Sequence, residues 1–594
     1  MKNNLKLRLV AVLLCLVMLF STACTAQTTP AATTVPPTTV PATTVPTTTA
    51  PSSLPENGTE KIVQETVTLY ITNEVSQPFP VAYYESTPEI FLIDMSTAYD
   101  EFFASMLNNK GVFTYEETET TLTIHRDNGT FCILDFVEDT ITFNNYDLFC
   151  ASRTNNLADM LSIPYVDEEG NSIYLSVTDS SYIAGLSICV DLADRDIPMD
   201  IYEGKKYIPF QTFNDLFLAP YGYNFTSNSK NLFLASSGSV NEALVEEYYS
   251  FAACERSQAL AEFTANELCL LLDLSYGLQD EHGVLVGFET FFKYTGLWDD
   301  LISTDPAKSS AAIASLTMGF LADRHSGLNA ASPYSGGSTL DADLIKKASS
   351  LLNSFDYTDN IIAARAQTMP EGVSGYLEVG NTAYVTFDEF SISPIRAQGY
   401  SDASRELVDT FGLVIYAHSM ITREDSPIEN VVLDLSCNVG GAFDAAVYVV
   451  AWMLGYADLH ITNPITNSFG TVNYKADVNL DGVFDEKDSI ADKNLFCLIS
   501  PASFSCGNLV PALLKESGKV TLLGNTSGGG ACAVQFASAA DGTLFQFSSS
   551  SRMSVVSNGS YYTIDRGIEP HHHFSKFESY FDREALTDFL NNLM

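Results

Sequence analysis

The stretch NLFCLISPASFSCGNLVPALLKESGKVTLLGNTSGGG, residues 494–530, sets two apolar runs around a helix-like segment and closes in a glycine-rich turn. NLFCLIS and KVTLLG read as strands, being short, apolar and bounded by turn residues. Between them CGNLVPALLKES repeats apolar residues at three and four, the period of a helix. Strand, helix and strand in succession point to an α/β fold. Two serines, Ser503 and Ser505, stand at the mouth of the helix. A serine in that place is ordinarily a cap. The same place offers free N–H groups and partial positive charge to a developing oxyanion, which suits a nucleophile as well.

The alternation continues outward. TAYVTFDEF, ASRELVDTFGLVIYAHSM, NVVLDLS and AAVYVVAWMLG interleave strands with helices, and from residue 239 two long stretches repeat apolar residues at helical spacing. Residues 239–594 are therefore expected to form an α/β domain, a mixed sheet with flanking helices and a helical N-terminal subdomain. Residues 59–238 differ. TVTLYIT, TTLTIHR, FCILDF and NSIYLSV are β-rich runs that predict a small α+β stalk or recognition domain without visible chemistry. Its segment around Tyr207-Ile208-Pro209-Phe210 is similar to stalk modules first named from amine oxidase N-termini.

The first residues read as a targeting segment. Lys2, Lys6 and Arg8 precede an apolar run from Leu9 to Phe20, too short to span a bilayer about 30 Å thick. The run ends in Ser21-Thr22-Ala23-Cys24, and residues 1–24 resemble a bacterial lipoprotein signal with Cys24 as the lipidated residue. Ser21 stands where leucine is usual, so plain secretion is the alternative. Residues 25–58 are a Thr/Pro-rich linker whose prolines favour an extended spacer over a core. This order predicts a protein on the extracellular face of a bacterial cell membrane, attached only through its lipid. Acids outnumber bases 73 to 30, a formal charge of −43 that excludes nucleic acid as a partner. Nine cysteines, scattered from Cys132 to Cys532, lack metal spacing and read as buried thiols.

The chemistry lies in the second half. Asp434-Leu435-Ser436-Cys437-Asn438-Val439-Gly440-Gly441 follows the strand-like Val431-Val432-Leu433. It resembles the Asp-Leu-Arg-x-Asn-x-Gly-Gly signature of the tail-specific (C-terminal processing) serine peptidase family, with Ser436 in place of arginine. The opening stretch is similar to that family's nucleophile helix, and Gly524 to Gly530 to its Gly-Glu-x-Thr-x-Gly turn. Gly567-Ile568-Glu569-Pro570 is similar to a closing Gly-x-x-Pro-Asp element, with His571 for the acid. The likeness spans about residues 240–594.

That resemblance implies a site. The family spacing of 19 residues before Gly524 (524 − 19) falls on Ser505, and implies backbone donors at Cys506 and in the Gly440/Gly441 turn. The lysine base of one branch would stand at 505 + 25, which is Gly530 here. Asp323-Arg324-His325-Ser326 instead resembles the Asp-x-His-Ser element of the tricorn-type and chlamydial branch, and implies His325 as the general base. The family's orienting glutamate falls in register on Ile564. Asp565 beside it, preferred, and Glu569 in the turn are the two candidates. No PDZ-like segment is evident between His325 and Tyr384. No cofactor is implied for catalysis.

Asp477, Asn479, Asp481, Val483, Asp485 and Asp488 fit the spacing of a calcium loop with Gly482 at its sixth position. A structural Ca²⁺ is expected there. The whole predicts a surface-anchored serine endopeptidase that takes peptide or protein substrates. The rival is an inactive lipoprotein that binds peptides in the same cleft, favoured by Ser436, the altered glycine turn and the missing acid at position 564.

Overall fold

The computed structural model describes residues 60–106, 112–150, 156–167, 169–337 and 356–593. Residues 1–24, expected as a signal, the expected lipid site Cys24 and the Thr/Pro-rich residues 25–58 lie outside them. The protein is a mixed α/β structure with several sheets.

The C-terminal half is built on a six-stranded sheet in the order Tyr376–Val379, Thr382–Thr386, Asn430–Asp434, Asn494–Ile499, Val520–Gly524, His572–His573. The first pair is antiparallel; the remaining neighbours are parallel. Parallel strands with both faces covered read as unbroken apolar runs, and NVVLD and all of NLFCLI but its first residue are fully buried. Successive side chains then serve two cores. Val431, Leu433, Leu495, Cys497 and Ile499 pack with the helices Thr410–Ile421, Phe443–Leu454 and Cys506–Glu516. Val432, Phe496, Leu498 and Leu523 face Ile361 and the C-terminal residues Tyr580, Leu586 and Leu590.

A second, antiparallel sheet runs Gly327–Ala330, Leu544–Ser557, Ala457–Asn463, Ser468–Ala476, Leu175–Ile183, and Cys532–Ser538 and Ser560–Thr563 also pair with the long Leu544–Ser557 strand. Its last member comes from the N-terminal half. Ser162 and Tyr165 likewise donate hydrogen bonds to the buried Asp444 carboxylate in the helix Phe443–Leu454. The boundary drawn at residue 238 is thus bridged: residues 156–183 supply Tyr165, Ile173 and Tyr174 to the larger core.

The rest of the N-terminal half holds a seven-stranded and a five-stranded sheet around an aromatic core that includes Phe79, Phe102, Phe143 and Phe213. The helix Gln258–Ser275 joins this core through Leu260 and Phe263, and a third core through Leu268 and Leu272. The nine cysteines within the described residues are free, and all but Cys189 and Cys254 are buried. No helix among the described residues is long and apolar enough to cross a membrane.

Candidate active site

Ser505 sits where the parallel strand Asn494–Ile499 has ended and the helix Cys506–Glu516 begins. Crevices at the carboxyl ends of parallel strands are where open α/β sheets bind ligands. Its backbone, at φ 56° and ψ −123°, is that of the first central residue of a type II′ turn, a place dominated by glycine. Ser505 caps nothing with its side chain. Its N–H donates to Gly529 O at 3.0 Å, and its carbonyl accepts from Asn508 and Leu509. Ser503 is the reverse case. Fully buried, its hydroxyl donates to Leu435 O at 2.7 Å and accepts from Ser500 N at 2.9 Å.

The Asn438–Gly441 turn lies against Ser505. A Cβ on Gly440 would stand 2.7 Å from Ser505 Cβ, and Gly440 has φ +109°, so both space and conformation call for glycine. Gly440 N–H is held by Asn438 Oδ1 at 2.9 Å, whereas neither Gly441 N–H nor Cys506 N–H has a hydrogen-bond acceptor among the described residues. Cys506 itself is buried, its thiol pushed up to about 12 by burial and turned onto Gly441 O at 3.2 Å. Ser436, where the family carries arginine, donates to Asp434 Oδ1 at 2.7 Å. Arg583, from the C-terminal helix Arg583–Leu593, pairs with the other Asp434 oxygen. Gly530, where a lysine base would stand, has φ +86° and Phe504 ring atoms 2.5 Å from a Cβ position. Lys515 Nζ is turned onto Glu569 O at 2.7 Å, and Lys519 lies over the Tyr456 ring.

His325 packs on the ring of Phe504, the residue before Ser505, with ring centroids 4.6 Å apart. The turn bearing it is fixed by Asp323, which accepts His325 N–H at 3.0 Å and the Ser326 hydroxyl at 2.7 Å. Gln546 donates to His325 O at 2.9 Å, and Ser548 Oγ lies 3.5 Å from Nδ1. Burial pulls the imidazole below its ordinary value, opposed by the charges of Asp323 and Asp565. No hydrogen bond joins His325 to Ser505.

Asp565 and Glu569 part company. Asp565 is largely buried, accepts Ala531 N–H at 3.1 Å and has Oδ2 3.6 Å from His282 Nε2. Burial alone would raise its carboxyl; His282 and the Ala531 N–H hold it below the ordinary value. Glu569 is exposed, accepting from Thr526 and lying 3.5 Å from His573. His282 and its partner Tyr276 are residues the sequence did not mark. They stand in an unremarkable Tyr-Gly-Leu-Gln-Asp-Glu-His run after a long apolar helix.

The calcium-spaced loop folds onto its own N–H groups. Asp477 accepts from Leu480, Asp481 and Gly482, Asn479 from Asp481, Asp481 from Val483, Asp485 from Lys487, and Asp488 from Val478 and Asn479. Val483 is exposed. No group of three or more His, Cys, Asp or Glu side chains placed to hold a metal ion occurs among the described residues.

This geometry coincides with a match to a family profile: residues 381–574 fit peptidase family S41. The likeness to peptidase family S41 thus rests on residues 381–574. That region resembles a family of serine-type peptidases. No curated protein matches the chain. Among solved structures it is similar to the photosystem II D1 C-terminal processing protease (18% identity, 34% of this chain and 45% of that one, TM-score 0.25). It is also similar to mature CPAF complexed with lactacystin (11%, 56% and 98%, TM-score 0.35) and to a lipoprotein from Streptococcus agalactiae (12%, 58% and 99%, TM-score 0.33). The chain thus spans under half of the first of these and nearly all of the other two.

Proposed function

We propose that the protein is a serine endopeptidase that cleaves peptide or protein substrates, with Ser505 as nucleophile, His325 as general base and Asp565 as the acid. The observation that carries this reading is the contrast between two neighbouring serines. Ser503 spends its hydroxyl on a backbone carbonyl. Ser505 keeps its hydroxyl free, in a glycine-like conformation at a helix N-terminus, against Gly440.

In this reading Ser505 Oγ attacks the scissile carbonyl carbon while its proton passes to His325. The N–H groups of Cys506 and Gly441 receive the oxyanion at the positive end of the helix. The C–N bond then breaks and the departing amine takes the proton from His325. Water, giving a proton to His325, attacks the acyl ester; the C–O bond to Ser505 breaks, Oγ recovers the proton and the acid product leaves. A neutral imidazole is the form that accepts a proton, and burial of His325 favours that form. Glu569, exposed and turned to Thr526, is the weaker candidate for the acid.

Anchoring through Cys24 to the extracellular face of a membrane, with residues 59–238 as a stalk or recognition domain, belongs to the same proposal. So does a structural Ca²⁺ in the 477–488 loop; self-capping by its own N–H groups is the other way to order that spacing. The inactive peptide-binding reading is favoured by one observation, the lack of a hydrogen bond between Ser505 and His325. Hydrolysis of an internally quenched peptide library by wild type, Ser505→Ala and Ser503→Ala tests the proposal. Activity lost in Ser505→Ala alone supports it; no cleavage by wild type contradicts it.

A further inference from the structure

The acid expected to face His325 is held by a second histidine. The loop Tyr276–His282 follows the helix Gln258–Ser275 and is clamped to the strand Leu544–Ser557. Gly277 N donates to Ser548 O at 3.0 Å, and a Cβ on Gly277 would fall 2.1 Å from Ser549 O. Arg552 of the same strand pairs with Asp280, and Arg566 with Glu281. This clamp delivers two side chains. The buried Tyr276 hydroxyl stands 2.9 Å from His282 Nδ1, and His282 Nε2 stands 3.6 Å from Asp565 Oδ2.

Asp565 is met at both oxygens, Oδ1 by the Ala531 N–H in a hydrogen bond and Oδ2 by His282 in an ion-pair contact at 3.6 Å. Its backbone reaches the nucleophile as well: a Cβ on Gly529 would fall 1.8 Å from Asp565 O, and Gly529 O accepts Ser505 N–H. Ser548, on the clamped strand, has its hydroxyl 3.5 Å from His325 Nδ1. We propose that His282 is a positioning residue, which together with Tyr276 holds the Asp565 carboxylate in place beside His325 and Ser505. The proposal rests on the peptidase reading given above.

The groups facing His282 are Tyr276, Asp565, Asp323 and the Leu321 carbonyl. Burial works against protonation of its ring, but the bond to Asp565 and the two nearby carboxylates leave it above its ordinary value. A protonated His282 keeps Asp565 ionised, and an ionised Asp565 stabilises the imidazolium that forms on His325 during the reaction.

The test is the pH dependence of kcat and KM on a quenched peptide for the full chain and its His282→Ala, His282→Gln, Tyr276→Phe and Ser505→Ala variants. His282→Ala should lower kcat by ~10-fold or more, leave KM within about twofold and displace the acid limb of the profile. Glutamine keeps an N–H donor, so His282→Gln should recover most of the rate. Tyr276→Phe, which frees Nδ1, should show a smaller loss of the same kind. If His282→Ala melts earlier but keeps kcat and the acid limb, the residue is structural and the positioning role is overturned. Should the alanine variant not fold, unchanged kinetics in both His282→Gln and Tyr276→Phe with a wild-type melting curve would support only a structural web and overturn the role equally. Wild-type hydrolysis by Ser505→Ala would remove the peptidase reading itself, and the role of His282 with it.

Discussion

Replacing Ser505 by glycine separates function from stability in a way that replacing Ser503 cannot. Ser505 holds φ 56° and ψ −123°, a conformation that costs a non-glycine residue ~1–3 kcal/mol. Its hydroxyl makes no hydrogen bond among the described residues, so removing it forfeits none of theirs. Glycine costs ~0.5–1 kcal/mol through the flexibility it adds to the unfolded chain. The balance makes Ser505→Gly more stable than wild type by about 1 kcal/mol, a rise of roughly 1–2 °C for a unit this large. Ser503→Ala runs the other way. It strips the buried Ser500 N–H of its acceptor at 2.9 Å and should cost about 1–3 kcal/mol. Scanning calorimetry on the two variants, with peptide hydrolysis measured on the same samples, checks both signs at once. Ser505→Gly should be inactive and slightly hardier; Ser503→Ala should be active and weaker. A Ser505→Gly protein that melts several degrees below wild type would refute the assignment of backbone strain to this serine.

Three further outcomes follow from the same geometry. His325→Ala should lower kcat by ~10³ or more, and because burial depresses this histidine the wild-type acid limb should lie below the ordinary value of about 6.5; a limb above that value contradicts the buried base. The buried Asp215 and Glu267 carboxyls are both raised by desolvation, Asp215 to about 7, so their neutral forms belong to the fold. Stability from this pair is therefore full below the unfolded carboxylate range and is lost as pH rises through the folded values; melting temperature should fall between about pH 5 and 8, and Glu267→Gln should flatten that slope. EDTA should lower the melting temperature, with Ca²⁺ restoring it and Asp477→Ala/Asp481→Ala abolishing the difference; a curve indifferent to EDTA in metal-free protein leaves the loop ordered by its own N–H groups.

Much of the α/β half was legible because its strands are continuous apolar runs buried on both faces, and NVVLD and NLFCLI announce this without ambiguity. The two serines were separable in sequence only by counting from the glycine turn; the physical reason, one hydroxyl spent and the other free, needs the fold. Of the web behind His325, only Asp565 was marked in the sequence, through the family register. Tyr276, His282, Ser548 and Asp565 come from three separate stretches, and an isolated histidine after a helix carries no periodicity or spacing to mark it. Strand Leu175–Ile183 was legible as β structure but not as a member of the larger sheet, since its partner Ser468–Ala476 lies nearly 300 positions away (472 − 180 = 292 for one paired register). Short runs show that a strand exists, whereas the choice of partner depends on which distant edge its side chains can cover.

The most direct measurement of the central claim is labelling with a fluorophosphonate probe followed by peptide mapping of the modified residue. An activated serine reacts with such a probe because a base removes its proton as phosphorus is attacked. The account predicts one modified site, Ser505, with labelling abolished in Ser505→Ala, strongly slowed in His325→Ala and retained in Ser503→Ala. Labelling at Ser503, or a wild-type protein that stays unlabelled while correctly folded, would contradict it.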